Sequence, residues 1–244
     1  MMTDSSQLTT LWVYLSASPL LGLTVTLLAY GLAYRVYELA GMRAILHPVV
    51  IAVVVLIAFL QMTGISYARY FEGAQFVHFL LGPATVALAV PLYHQLDKLR
   101  RLWMPITVAT LVGVSVGTLS SIGIAWLSGA DLQTQLSLAP KSVTAPVAMG
   151  ISEKIGGLPS LTAVLVVATG IIGAVIGGAL FALLRIRDDD VKGIAMGITA
   201  HGIGTARAFQ MSREMGAFSG LAMALSALTS AVLVPALLRL IGLL

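Results

Sequence analysis

His201 and Arg207 stand in an apolar, small-residue segment, residues 193–208, in which a charged side chain needs a physical reason. A guanidinium at membrane depth is costly, so it persists only where it faces protein, water or an anion. We predict that Arg207 is the main ligand of an anion, since its planar fork matches a carboxylate. In the alternative, Arg207 snorkels to the membrane interface from the end of its helix. Thr205 adds a hydroxyl beside it.

His201 has two interpretations that the sequence leaves open. An imidazole titrates near neutral pH and can carry a proton, or it can stay neutral and bond a neighbouring carbonyl. Gly202 and Gly204 follow it, and glycine weakens a helix while allowing close approach of a backbone or ligand. We therefore predict an interrupted helix near residues 200–208.

A second polar stretch, residues 140–157, is too short and too polar to be an ordinary span. It predicts a short helix that dips into the membrane or lines a cavity. Lys141, Ser142 and Thr144 place a cation and two hydroxyls at the start of this helix, where free N–H groups already favour an anion. In the alternative, Ser142 or Thr144 simply caps an interfacial helix.

Gly82 and Pro83 predict a third irregular site, because proline in the middle of an apolar run removes a helix hydrogen bond. We expect an interrupted helix near residues 82–91. The Gly-x-x-Thr pattern that ends at Thr85 recurs in residues 202–205, about 120 positions later. Carriers often place their substrate site where two broken helices meet, and this makes Thr85 a candidate ligand.

Composition fixes the class of protein. Hydrophobic residues make up 58% of the chain and charged residues only 10%, with a mean hydropathy of +0.97, against about 25% charged in soluble proteins. At 244 residues, with about 20 residues per crossing, the chain predicts one all-α polytopic membrane domain, residues 1–244, with about seven transmembrane helices (six to eight).

The charge pattern predicts an orientation rather than a nucleic-acid partner. Basic residues cluster in the short loops 35–43, 94–102 and 185–192, which we place on the cytoplasmic side together with the C-terminus. If residues 131–151 cross fully, every later element inverts. Asp188 to Asp190 fit a solvated loop. The chain has no cysteine, and its histidines match no metal-binding spacing. We therefore predict no metal site, no cofactor and no enzyme activity.

Glycine pairs spaced four residues apart predict close helix packing in lipid. They indicate a compact bundle and are compatible with a homo-oligomer. The pairs are Gly113 and Gly117, Gly173 and Gly177, Gly193 and Gly197, and Gly216 and Gly220.

Four motifs give the chain a family resemblance over nearly its whole length: residues 79–93, 140–149, 156–163 and 200–208. The chain resembles the LrgB/CidB family, the larger partner in holin-like pairs. The resemblance implies a bacterial inner-membrane protein that works with a small LrgA/CidA-type membrane protein and affects murein hydrolase activity and autolysis. A plant chloroplast relative exports glycolate and takes up glycerate, and some bacterial relatives are linked to pyruvate uptake. An acidic residue often follows the family motif at Met149 and Gly150, and its role is not carried over to this chain.

These observations predict a carrier for small monocarboxylates of the glycolate, glycerate and pyruvate class, exchanging them or moving them with a proton. Paired interrupted helices and a buried cation suit a carrier. The alternative is a holin/antiholin-like regulator of murein hydrolase activity that acts through an LrgA/CidA-type partner. The predicted substrate ligands are Arg207, Thr205, Lys141, Ser142, Thr144 and Thr85, with His201 as proton carrier.

Overall fold

The computed structural model describes residues 20–42, 46–80 and 93–244, and the single positions 83, 87 and 90. This part of the chain is all-α, as predicted, and divides into two compact units, residues 1–87 and 88–244. Gly82 and Thr85 lie outside the described residues and Pro83 is helical, so the interruption near 82–91 stays a prediction. The helices are α1 (Leu20–Leu39), α2 (Pro48–Thr63), α3 (Tyr67–Phe79), α4 (Leu96–Leu127), α5 (Leu132–Leu138), α6 (Ala145–Ile155), α7 (Pro159–Leu183), α8 (Asp189–Met211) and α9 (Arg213–Leu240).

In the first unit, α1 packs against α2 and α3. Gly22 allows the approach of α3, because a Cβ there would meet the carbonyl oxygen of Tyr70. Thr26 Oγ1 and Tyr70 Oη share a hydrogen bond of 2.7 Å. His47 is buried, with its ring 6.3 Å from that of Tyr37.

Four helices in the described residues are long and apolar enough to cross a membrane: α1, α4, α7 and α9. The helix α2 is apolar but has only 16 residues. The helix α8, which contains the predicted interruption near residues 200–208, is not among the four. A helical membrane protein is therefore supported, while the count of seven crossings is not confirmed.

In the second unit, three helix N-termini lie together at one end, which we call the basic end. Lys98 Nζ of α4 lies 2.8 Å from Asp190 Oδ2 of α8 and 2.6 Å from Glu214 Oε1 of α9. Asp190 is only 6% exposed, so the prediction of a solvated acidic loop is wrong for this residue. Removing Lys98 would be costly, because it would leave the buried carboxylate of Asp190 without a compensating charge.

Glycines let α7 and α8 approach each other closely. A Cβ on Gly173 would lie 2.6 Å from Ala200 Cβ, and one on Gly177 would lie 2.7 Å from Met196 Sδ. Gly113, Gly193, Gly197 and Gly216 also meet neighbours within the chain, for example Gly193 against the carbonyl oxygen of Met215. These contacts account for packing inside one subunit, so the glycine spacing gives no separate support to a homo-oligomer.

Gly197 offers a direct test of this packing. A Cβ there would meet the Ser219 carbonyl oxygen and lie 2.9 Å from Ala222 Cβ, so Gly197→Ala should lower the stability by about 1–3 kcal/mol through overpacking. Thermal unfolding in detergent should show a lower Tm. The matched control is Gly178→Ala on α7, where a Cβ meets nothing within 4 Å. An equal Tm for both variants would contradict the close α8–α9 contact.

Candidate functional site: two opposed hairpins

The helix α8 is two arms joined by a reversal at His201. The residue has φ 40° and ψ −130°, inside an otherwise helical stretch. Gly197 before the break and Thr205 after it both contact Ser219 of α9, since a Cβ on Gly197 would meet the Ser219 carbonyl and Thr205 Oγ1 lies 2.9 Å from Ser219 Oγ. Both arms therefore flank the same turn of α9. We call residues 189–211 the second hairpin and His201 with Gly202 the second tip.

The second hairpin enters from the basic end and returns to it. Its tip lies at Met223, whose Sδ is 4.0 Å from a Cβ built on Gly202. Met223 stands ten residues after Arg213, the first residue of α9, which is about 15 Å of helix. The hydrocarbon core of a bilayer is about 30 Å thick. The hairpin is therefore long enough to reach about halfway across.

The predicted interruption near residues 200–208 is present, but its position and consequence differ from expectation. The break is at His201 rather than at Gly202 or Gly204, and the chain turns back instead of crossing. Gly204 has another role: a Cβ there would lie 2.5 Å from Ala200 Cβ and 2.9 Å from the Met196 carbonyl oxygen. Its missing side chain allows the two arms to pack against each other.

His201 is 4% exposed, and its Nε2 donates a hydrogen bond to the Val166 carbonyl of α7 at 2.9 Å. Gly170 makes room for the ring, since a Cβ there would lie 2.7 Å from His201 Cε1. This is the contact expected of the alternative in which a neutral imidazole bonds a carbonyl. The positive φ costs about 1–3 kcal/mol, which this contact and the surrounding packing must offset.

The first hairpin comprises α5, the turn 139–144 and α6, and it enters from the other end of the unit. Asp131 caps α5 by accepting a hydrogen bond from the Thr134 backbone N–H at 2.8 Å, and the hydrogen bonds with Thr134 hold the pKa of this carboxyl below its ordinary value. The chain then runs antiparallel to α4, because Thr118 Oγ1 donates to the Ala139 carbonyl at 3.2 Å. Val143 reaches deeper and joins a cluster that contains Val114.

The helix α6 returns toward the end where the first hairpin begins. Leu158 N, just beyond α6, donates to Ser137 Oγ of α5 at 2.8 Å, and Thr162 Oγ1 of α7 donates to Ser152 Oγ of α6 at 2.7 Å. With 7 and 11 residues, α5 and α6 are each too short to cross a bilayer. The predicted short helix is therefore present, as the returning arm of a hairpin.

The turn 139–144, which we call the first tip, holds three predicted ligands. Lys141 is half-buried and its Nζ donates to Ser142 Oγ at 3.2 Å. Thr144 occupies the N-cap position of α6, but its side chain makes no capping hydrogen bond. The first N–H groups of α6 are therefore not capped by Thr144, contrary to the alternative in which this residue serves as the cap.

The two tips approach each other in the middle of the unit. On α4, a Cβ on Gly113 would lie 2.7 Å from Ile198 Cγ2 of the second hairpin, and one on Gly117 would lie 3.6 Å from Ser142 Oγ of the first tip. These glycines are one helical turn apart, about 6 Å. Val166 of α7 bridges the same region, since its carbonyl binds His201 while its side chain joins the cluster that contains Val143.

Arg207 is not brought to this meeting point. It lies six residues along the returning arm, about 9 Å from the second tip toward the basic end, and its Nη1 donates to Gln210 Oε1 at 3.1 Å. Thr205 is buried and donates to the His201 carbonyl at 2.8 Å. The structure thus places Lys141, Ser142, Thr144 and His201 at the two tips, in the middle of the second unit. It gives Arg207 a place nearer the basic end.

Comparison with known proteins agrees with the resemblance. The LrgB-like family matches residues 26–240. The Bacillus subtilis protein YwbG is 36% identical over 222 residues, covering 90% of this chain and 97% of that protein. The antiholin-like protein LrgB of Bacillus cereus is 30% identical over 225 residues, covering 92% and 98%. No solved structure matches the chain. The name of the Bacillus cereus relative favours the antiholin-like alternative over the carboxylate carrier.

The hairpin geometry predicts the sidedness of four exposed positions. Arg187 and Arg213 flank the second hairpin and should face the same side, whereas Ser128 and Lys154, at the base of the first hairpin, should face the other. The natural chain has no cysteine, so each position can be changed singly to cysteine and labelled with an impermeant maleimide in oriented vesicles. If Arg187→Cys and Arg213→Cys label from opposite sides, α8 crosses the membrane and the second hairpin is wrong.

The strain at His201 predicts unequal costs for two substitutions. Both His201→Ala and His201→Gly lose the bond to Val166, but only alanine keeps a Cβ at φ 40°. We expect the glycine variant to be more stable than the alanine variant by about 1 kcal/mol. Thermal unfolding in detergent, compared with the wild type, measures the difference. An alanine variant as stable as the glycine variant would contradict the reversal at this residue.

Proposed function

The chain belongs to the LrgB-like family, and we propose that it carries small monocarboxylate anions across the membrane. One observation carries the proposal: two hairpins enter the second unit from opposite ends and their tips meet along α4 and α7. Irregular backbone at membrane depth is tolerated where it is buried in protein or lines a water-filled cavity. Opposed broken helices that meet at the midplane are the arrangement in which carriers build a substrate site.

The chemistry at the two tips favours an anion. Each returning arm begins at its tip, at Ala145 in the first hairpin and at Gly202 in the second. A helix start presents N–H groups and the positive end of the helix dipole. Lys141 adds a full positive charge beside the first of them. This set suits the carboxylate of a glycolate, glycerate or pyruvate-sized molecule, with proton coupling through His201 as a further part of the proposal.

The charge distribution supports a cytoplasmic position for the basic end. With the second hairpin returning to its starting end, Arg213 joins the bases of the two neighbouring loops, and an excess of Lys and Arg marks the cytoplasmic side. The end of α9 then faces the other side, unlike the C-terminal placement predicted from sequence. We propose a multi-pass protein of the bacterial plasma membrane. The bases at this end are Lys98, Arg100, Arg101, Arg185, Arg187, Lys192 and Arg213.

The second candidate is an antiholin-like regulator, which the names of the Bacillus cereus and Bacillus anthracis relatives favour. In this reading the chain acts through contacts with a small LrgA/CidA-type membrane protein and catalyses no reaction itself. A homo-oligomer fits either candidate and stays a prediction. The two candidates differ in what purified protein should do, because only a carrier moves a small anion saturably without a partner.

Transport by purified protein tests the proposal. Proteoliposomes should take up labelled glycolate, glycerate or pyruvate saturably while they retain a larger trapped dye. Lys141→Met should raise the half-saturation concentration about tenfold or more, since it removes a charge-assisted contact. The matched control is Lys154→Met, the exposed lysine in the last turn of the same α6 helix, which should transport like the wild type.

Two outcomes would contradict the carrier, and a third would move its anion site. Dye release with uptake that does not saturate indicates a pore. No uptake by the protein alone, with an effect on murein hydrolase activity that needs an LrgA-type partner, supports the regulator. Uptake that Arg207→Ala abolishes and Lys141→Met leaves unchanged keeps a carrier but moves the anion site from the tips toward the basic end.

A further inference from the structure

One face of α9 connects the two hairpins. Ser219 and Met223 contact the second hairpin through Thr205, while Val234 joins the buried cluster of the first hairpin. Positions 219, 223, 226, 230 and 234 lie on one helical stripe. Ser226 therefore stands one turn beyond the second tip, on the way to the first hairpin.

Ser226 is 1% exposed, and its hydroxyl has no hydrogen-bond partner among the described residues. By contrast, the buried hydroxyl of Thr162 bonds Ser152 Oγ, and Ser121 Oγ donates to the Thr118 carbonyl of its own helix at 2.9 Å. A buried polar group without a partner is unfavourable, so each such group needs a reason. One such reason is a bound ligand that supplies the missing hydrogen-bond partner.

We propose that Ser226 is a substrate-binding residue whose hydroxyl donates a hydrogen bond to the carboxylate of the carried anion. This inference rests on the proposed carrier function. The N–H groups at the starts of α6 and of the returning arm of the second hairpin, with Lys141, supply the other donors from the two tips. Ser226 completes the site from a third side, on a helix that belongs to neither hairpin.

The location explains how the site can be reached from either side in turn. Ser226 is closed off in this conformation, with the second hairpin on the basic side and the first hairpin on the other side. Displacement of one hairpin from α9 would open the site to one side while the other hairpin keeps it closed, which is the requirement for alternating access.

Kinetics test the role of Ser226. In proteoliposomes that contain the full chain, Ser226→Ala should raise the half-saturation concentration for labelled glycolate about tenfold, since a hydrogen bond to a charged group is lost, with little change in the maximal rate. The matched control is Ser121→Ala, a buried serine on α4 that bonds its own helix, and it should leave the half-saturation concentration unchanged. Equal values for the two variants would overturn the proposal.

Cysteine protection gives a second readout that does not depend on a stable alanine variant. Because the natural chain has no cysteine, Ser226→Cys places a single, nearly isosteric thiol at the site. Saturating glycolate should slow its labelling by N-ethylmaleimide several-fold, whereas Ser121→Cys should label at the same rate with and without glycolate. Labelling of Ser226→Cys that glycolate does not slow would overturn the proposal.

The outcomes separate this inference from the proposed function. Saturable glycolate uptake by the wild type, with no effect of Ser226→Ala and no protection of Ser226→Cys, overturns the role of Ser226 and leaves the carrier standing. Absence of saturable uptake of glycolate, glycerate and pyruvate by the wild type overturns both. Protection of Ser226→Cys together with a raised half-saturation concentration in Ser226→Ala supports both.

Discussion

The backbone reversal at His201 is the constraint on which the arrangement of the second unit depends. It returns the chain to the basic end after about 15 Å, and α9 therefore starts beside α8, where Lys98 pairs with both Asp190 and Glu214. A straight α8 would separate these two carboxylates by the thickness of the membrane. The direction of α9, and the side on which it ends, follow from one pair of dihedral angles.

The energetic support for the reversal comes from the helices around it. A non-glycine residue at φ 40° is strained, and the hydrogen bond from His201 to the Val166 carbonyl fixes the ring in place. The glycines of α7, together with Gly193 and Gly197 in the entering arm, let the backbones come close enough for dispersion contacts to contribute. In lipid, where no hydrophobic force draws helices together, such close packing is a main source of association.

Much of the fold could be predicted from the sequence, because hydropathy and length report ordinary spans well. The apolar run of residues 158–184 is long enough for a span and corresponds to α7, Pro159–Leu183, and the predicted short helix within residues 140–157 is α6. Hydropathy and length do not predict the path of the chain through α8. Its 23 residues are long enough for a span, although it is not among the four apolar candidates, and a single change of φ at His201 leaves no mark on composition or periodicity. The predicted helix-breaking glycines, Gly202 and Gly204, follow His201 and do not have its positive φ.

The candidate site was predictable in part for a similar reason. Lys141, Ser142 and Thr144 were recognisable as polar residues at the start of a short helix, and the structure places them at a tip. The sequence predicts Arg207 as the main anion ligand because a cation in an apolar segment needs a physical reason. Its distance from the second tip depends on the reversal at His201, which the sequence does not show. Ser226 carried no signal, since serine is common on closely packed membrane helices. Ser226 is a candidate because its hydroxyl is buried without a hydrogen-bond partner, which only the structure shows.

The relation between the hairpins bears on the choice between carrier and regulator. The predicted pairing of residues 82–85 with 202–205 lies partly outside the described residues and stays a prediction, while within the second unit two hairpins are separated by the crossing helix α7. One intervening crossing makes the hairpins enter from opposite ends, and α7 contacts both of them. A regulator that acts through protein contacts, or a pore with polar walls, has no need of two half-crossing hairpins that enter from opposite ends. A carrier needs two barriers of this kind, each able to open while the other stays shut.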